Sequence, residues 1–179
     1  MACSDPFWQT CLPAPPHRLR HWLAARGSLT ARLRARSGSF QVVTLKQRLA
    51  RPASDEAALI GLPVHRLALV REVALLCDGR PVVFAHSVLP VAALRRSWRF
   101  VVGLGNRPLG EVLFSNPRIR RAPLRFRQLD WHHPLYQPAA RLLPAAPARL
   151  WARRSLFRLS GSPLLVTEVF LPDVLELPE

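Results

Sequence analysis

RLALVREVALLCDGRPVVFAHSVL (residues 66–89) decides the fold. Side chains alternate along both halves, and the Asp78-Gly79 dipeptide between them is a strong signal for a two-residue hairpin turn. A strand is predicted over 66–77 and an antiparallel partner over 81–89. Working outward, residues 155–160 and 163–171 flank Gly161-Ser162 and predict a second hairpin. FQVVTLKQRL (residues 40–49) predicts another strand, and residues 123–128 a shorter one. Upstream, Leu19, Trp22 and Leu23 fall at helical spacing and Gly27 breaks the run. Ser28 is placed to cap a second short helix carrying Leu29 and Leu33, closed by Gly38. Asn106 is placed to cap a helix over 107–114, with Pro108 in its first turn. The segment with Pro52, Asp55 and Glu56 reads as a loop. Residues 130–150, with four prolines, read as a surface excursion. Hairpins joined by short helices, without a βαβ pattern, give an α+β fold with a single antiparallel β-sheet and helices packed on one side.

The chain has 179 residues, 49% of them apolar, enough for one core. A single domain is expected over 17–179, preceded by a loosely held arm, 1–16, rich in Pro and small residues. No apolar run reaches the roughly 18 residues that cross a bilayer, and MACSDPFWQT has no signal-peptide pattern. A cytoplasmic protein is expected. Three cysteines, Cys3, Cys11 and Cys77, lack metal or redox spacing and are expected to stay reduced. Net charge is +15, which suggests a polyanion partner. Yet only Lys46 of the 26 basic residues is a lysine, and the arginines are spread along the whole chain. A GC-rich coding sequence yields the same bias. No zinc-finger, basic-zipper or RNP pattern accompanies the charge, so no nucleic-acid partner is expected.

Two charges stand where strand alternation calls for apolar side chains. Arg71 shares a face with Leu67, Leu69, Val73 and Leu75, and Glu168 shares one with Leu164, Val166 and Phe170. A charge on an apolar face is costly unless it is paired. Two explanations are open. Arg71 and Glu168 pair with each other in the core, or they face a pocket, Arg71 for a carboxylate and Glu168 for a hydroxyl or a proton. His86, also on an apolar face, reads as a hydrogen-bonded core residue. His132-His133, without acidic or Cys partners at ligand spacing, do not make a metal site. GLGNRPLG (residues 103–110) lacks the spacing of a nucleotide loop.

Three stretches together resemble the chorismate pyruvate-lyase family: VREVALLCDGRPVVFAHSVLP (70–90), GNRPLGEVLF (105–114) and LWARRSLFRLSGSPLLVTEVFLP (150–172). WLAARGSLTARLR (22–34) is similar to the family's N-terminal helical region. The resemblance implies helical flaps over a buried ligand pocket in the antiparallel sheet fold. It implies a carbon–oxygen lyase that converts chorismate to 4-hydroxybenzoate and pyruvate for ubiquinone synthesis, without metal or organic cofactor. A monomer is expected. The family's ligand-binding arginine and glutamate fall on Arg71 and Glu168. Arg71 is implied to bind a substrate carboxylate and stabilise charge on the departing enolpyruvate. Glu168 is implied to bond the ring hydroxyl and assist proton transfer. Leu109 is implied to contact the ligand through its backbone, and Leu29 stands where the family has methionine. The alternative is a non-catalytic small-molecule-binding domain of the same fold, as in bacterial repressors. Those carry a winged helix upstream, for which the first 39 residues are too few.

Overall fold

The computed structural model describes residues 7–178. In chain order the elements are α1 (His17–Leu23), α2 (Leu29–Arg34), β1 (Phe40–Ala50), α3 (Ser54–Leu59), β2 (Ala68–Cys77), β3 (Arg80–Pro90), α4 (Val91–Leu94), α5 (Leu109–Ser115), β4 (Arg120–Arg121), β5 (Arg125–Leu129), α6 (Tyr136–Ala140), β6 (Leu150–Leu159) and β7 (Ser162–Phe170). The strands form one seven-stranded antiparallel sheet in the order β1-β2-β3-β7-β6-β4, with β5 also on β6. The two predicted hairpins therefore lie side by side, joined where β3 meets β7.

The β2–β3 turn is Asp78-Gly79, with φ of 50° and 78°. Positive φ at both positions matches the twist of a hairpin and favours glycine at the second. The β6–β7 turn has the same form but is Ser160-Gly161, one residue before the predicted Gly161-Ser162, because Gly161 takes the second position at φ 78°. Ser162 instead pairs with Leu159.

Ser28 caps α2 as predicted, accepting from Ala31 N at 3.2 Å. Asn106 does not cap α5. Pro108 stands at that position, and Asn106 Oδ1 accepts from Thr44 N at 3.2 Å, tying the loop to β1. The segment read as a loop around Asp55 holds the helix α3. Six residues carry too little periodicity to reveal it. It forms because Glu56 accepts from Ala53 N at 3.0 Å and because Ile60, just beyond the helix, packs with Ala68, Val70 and Val88. Strand β6 begins at Leu150, five residues before the predicted start, inside the proline-rich segment's edge. The adjacent arginines 153 and 154 hide it from pattern reading, since they place a charge on each face.

Both faces of the sheet are covered, not one as expected, because α3 and α6 bring a second apolar layer to the reverse face. Helices α2 and α5 lie over one face of β2, β3 and β7. The reverse face is covered by α3 and α6, whose Tyr136 and Ala139 pack with Phe84 and Val169. This explains why nine of the ten β2 residues are buried. Of the expected arm 1–16, residues 1–6 lie outside the described residues. Within 7–16, Trp8 is buried and Gln9 exchanges two backbone hydrogen bonds of 2.9 Å with Phe126. No helix among the described residues is long and apolar enough to cross a membrane.

Candidate active site

The register of the sheet builds a floor. Arg71, Ser87, Val166 and Ser155 stand in one row across β2, β3, β7 and β6. Val73, Ala85, Glu168 and Arg153 form the next. The central strand contributes only Ala85 and Ser87 here, while Val83 and Leu89 stand on either side. Small side chains at the middle of the floor leave a hollow above it. Leu29 and Thr30 of α2 and Leu109 and Leu113 of α5 roof it. The cavity is about 50 Å³, partly open to solvent, and its walls are mostly apolar.

All four residues singled out from sequence, Leu29, Arg71, Leu109 and Glu168, line this one cavity. Arg71 and Glu168 do not pair with each other. Their positions are two strands and two residues apart, which puts the Cα atoms about 12 Å apart at ordinary strand spacing. Arg71 is 2% exposed. Its Nη2 donates to Gly105 O at 2.7 Å and to Arg107 O at 3.4 Å, while Nε is buried without a partner. No carboxylate among the described residues forms a salt bridge with it. Burial pulls its pKa down from the usual arginine value. A buried cation without an acidic partner is destabilising. The arrangement suits an anion that arrives from outside.

Glu168 is held by a residue that sequence reading missed. Arg153, fully buried, donates from Nε to Glu168 Oε2 at 2.5 Å. Its Nη1 lies within hydrogen-bond distance of the carbonyls of Trp22, Leu23 and Ala25, at 2.9, 3.2 and 2.7 Å. One side chain thus fixes the carboxylate and the end of α1 together. Arg121 was missed as well, because a two-residue strand carries no periodicity. It lines the cavity and donates from Nε to Ser155 Oγ at 3.0 Å and from Nη1 to Arg26 O at 2.6 Å.

The flaps meet tightly. A Cβ on Gly110 would stand 2.8 Å from Thr30 Oγ1, and Arg34 pairs with Glu111 across the same seam. A glycine at 110 is what lets α5 close on α2.

The remaining polar residues lie outside the cavity. His133 is buried, and Nδ1 accepts from Leu135 N at 3.2 Å. Burial, with the charge of Arg127, drives its pKa down to about 4, so it is neutral. No group of three or more His, Cys, Asp or Glu among the described residues is placed to hold a metal. On the reverse face, His86 Nδ1 stands 3.3 Å from Glu72 and Nε2 stands 3.2 Å from Glu56. The Nε2 contact lacks hydrogen-bond alignment and is an ion contact. Burial alone would push the imidazole down, but the two carboxylates outweigh it and raise the pKa to about 9. Lys46 neighbours Glu72, and His133 faces Glu56. The imidazolium gains a folded-state partner, so its stabilisation is complete below pH 6.5 and fades as pH rises through 9. Wild-type protein is expected to lose about 3 kcal/mol between pH 6.5 and 9.5, at about 1.4 kcal/mol per unit. His86→Gln should flatten that slope in urea unfolding at the two pH values. A slope unchanged in the variant would remove His86 from the account.

The model of the family described as chorismate lyase matches residues 4–176. The chain belongs to the chorismate lyase family. A chorismate lyase relative from Nitrosospira multiformis, named a probable chorismate pyruvate-lyase, is 53% identical over 169 residues, covering 92% of this chain and 94% of its own. One from Aromatoleum aromaticum with the same name is 55% identical over 170 residues, covering 93% and 91%. Among solved structures, the ligand-binding domain of a GntR-family regulator from Bordetella bronchiseptica matches with a TM-score of 0.56 at 19% identity, covering 76% of this chain and 87% of that one. The effector domain of PhnF from Mycobacterium smegmatis matches with a TM-score of 0.54 at 18% identity, covering 83% and 91%. These two share the chorismate lyase sheet and its helices, which is a likeness of fold alone.

Proposed function

We propose that this chain is a chorismate pyruvate-lyase, eliminating pyruvate from chorismate to leave 4-hydroxybenzoate, the aromatic precursor for ubiquinone. The observation that carries the reading at the site is Arg71, a buried guanidinium with no acidic partner among the described residues, set across a largely apolar cavity from the carboxylate of Glu168.

The reaction breaks the C3–O ether bond and the C4–H bond of chorismate, forms the C3–C4 double bond of the aromatic ring, and places a proton on the enolpyruvyl methylene. Charge and atoms balance, since a dianion yields two monoanions. Aromatisation makes the products strongly downhill, so the site's task is to hold one conformer and favour ether cleavage. In our reading Arg71 takes the ring carboxylate through the N–H groups that no protein acceptor uses. Leu109 opens α5, so its N–H belongs to the first-turn donors that have no acceptor within the helix. It is placed to share that carboxylate. Glu168 accepts the ring hydroxyl, and its second oxygen is left for this because Arg153 holds the first. Leu29 and the other apolar walls exclude water and strengthen both contacts. Chemistry of this kind calls for no metal, and the enzyme is proposed to act as a cytoplasmic monomer.

Purified protein with chorismate and excess chelator is expected to release equimolar 4-hydroxybenzoate and pyruvate. No product would favour the ligand-sensing reading, in which the fold binds a small acid without turning it over. Dependence on added metal would overturn the mechanism.

Gly110→Ala is expected to wedge the flaps apart, because the new methyl meets Thr30 at under 3 Å. Overpacking of this kind costs about 1–3 kcal/mol, here felt by the closed state. Affinity for 4-hydroxybenzoate should fall by at least about fivefold in a calorimetric titration. An unchanged affinity would show that closure at this seam does not retain the ligand.

A further inference from the structure

We propose that Arg121 is the second anion anchor of the pocket, taking the enolpyruvyl carboxylate so that the site reads a dianion with a carboxylate at each end. The proposal rests on the lyase reading above and deepens it.

Three guanidiniums serve the cavity, those of Arg71, Arg121 and Arg153, and Glu168 is the one carboxylate among the described lining residues. Arg153 already holds Glu168 in a short ion pair. Arg71 and Arg121 are left without a salt-bridge partner among the described residues. Two unpaired cations match the two negative charges of the substrate.

Arg121 is held from several sides before any ligand arrives. Nε bonds Ser155, Nη1 bonds the carbonyl of Arg26, and the guanidinium carbon lies 5.3 Å from the ring centre of Phe114 and 5.4 Å from that of Phe157. Nη2 has no hydrogen-bond partner among the described residues. A guanidinium fixed by two hydrogen-bond acceptors and two rings, with one nitrogen unused, presents a donor at little entropic cost.

Ser155, which Arg121 bonds, ends the row that begins at Arg71, three strand spacings or about 14 Å away. Glu168 stands in the adjacent row, one strand from β6. With the ring carboxylate on Arg71 and the hydroxyl on Glu168, the ring has two orientations about that axis, and one of them turns the ether carbon beside the hydroxyl to the β6 side. In that orientation the enolpyruvyl arm points to Arg121. A cation there also stabilises the charge that grows on the leaving group as the ether bond breaks.

Arg121 also ties β4 to the segment between α1 and α2, so the test separates binding from scaffolding. Binding is measured for 4-hydroxybenzoate, with one carboxylate, and for 3-(carboxymethoxy)-4-hydroxybenzoate, with two. Arg121→Gln is expected to weaken the dianion about 30-fold and the monoanion less than about threefold, with KM for chorismate rising in step with the dianion. Arg121→Lys, which keeps charge but not the planar fork, is expected to fall between and serves if the glutamine variant fails to fold. Equal losses for both ligands, no loss for the dianion, or a wild-type protein that does not bind the dianion would each overturn the proposal. The comparison needs no turnover, so failure of the chorismate assay and failure of this anchor remain distinct results.

Discussion

Arg71→Met is expected to lower kcat/KM for chorismate by about three orders of magnitude while leaving the melting temperature unchanged or higher. The two effects have one cause. Among the described residues Arg71 has no partner for its buried Nε and no acidic neighbour, so in the free protein it carries a desolvation cost that these residues do not offset. A thioether of similar length removes that cost. The carbonyls it leaves, those of Gly105 and Arg107, belong to exposed residues and can turn to water. With the substrate carboxylate in place the balance reverses. Truncating one partner of a buried charge pair costs about 2–5 kcal/mol, and about 4 kcal/mol corresponds to about 10³ in kcat/KM. Steady-state kinetics and thermal melts on one preparation test both halves. A variant that unfolds would make Arg71 a structural residue, and one that stays active would remove it from the site.

Arg153→Met carries the largest expected loss of stability, about 4 kcal/mol by chemical denaturation. The same guanidinium satisfies Glu168 and bonds to the carbonyls at the end of α1. Each buried acceptor left unmet costs about 1–3 kcal/mol, and a carboxylate stripped of its partner costs more. The loss is held to about 4 kcal/mol because Glu168 borders the cavity, where its side chain is 18% exposed and water reaches it. The transition midpoint should fall with an unchanged slope. Activity should fall as well, because Glu168 loses the contact that aims its free oxygen. Arg153→Lys, a point charge unable to span both groups, should recover only part of either loss. A stable, active methionine variant would show that Glu168 and α1 are held by other contacts.

The two residues differ in how visible they are in the sequence. Arg71 and Glu168 each interrupt an otherwise apolar strand face, and an interruption of period two can be read without coordinates. What it could not settle was the partner. A buried pair and an open pocket leave the same mark on a strand. Arg153 and Arg121 leave no such mark. Arg153 sits beside Arg154 in a strand, β6, whose start the proline-rich segment obscures, and Arg121 lies in a strand of two residues. Their roles arise from contacts between residues 15 to 131 positions apart. Helix α3 was lost for a similar reason, since its stability comes from Glu56 and from packing on β2.

The sequence by itself determined the hairpins, the sheet class, the cap of α2 and the two charges that do not belong on apolar faces, because alternation, turn chemistry and capping act over a few neighbouring residues. Tertiary structure alone decided that Arg71 faces a cavity without an acidic partner among the described residues and that Glu168 belongs to Arg153, because strand order and register set which side chains meet, and burial sets which charges must find a partner.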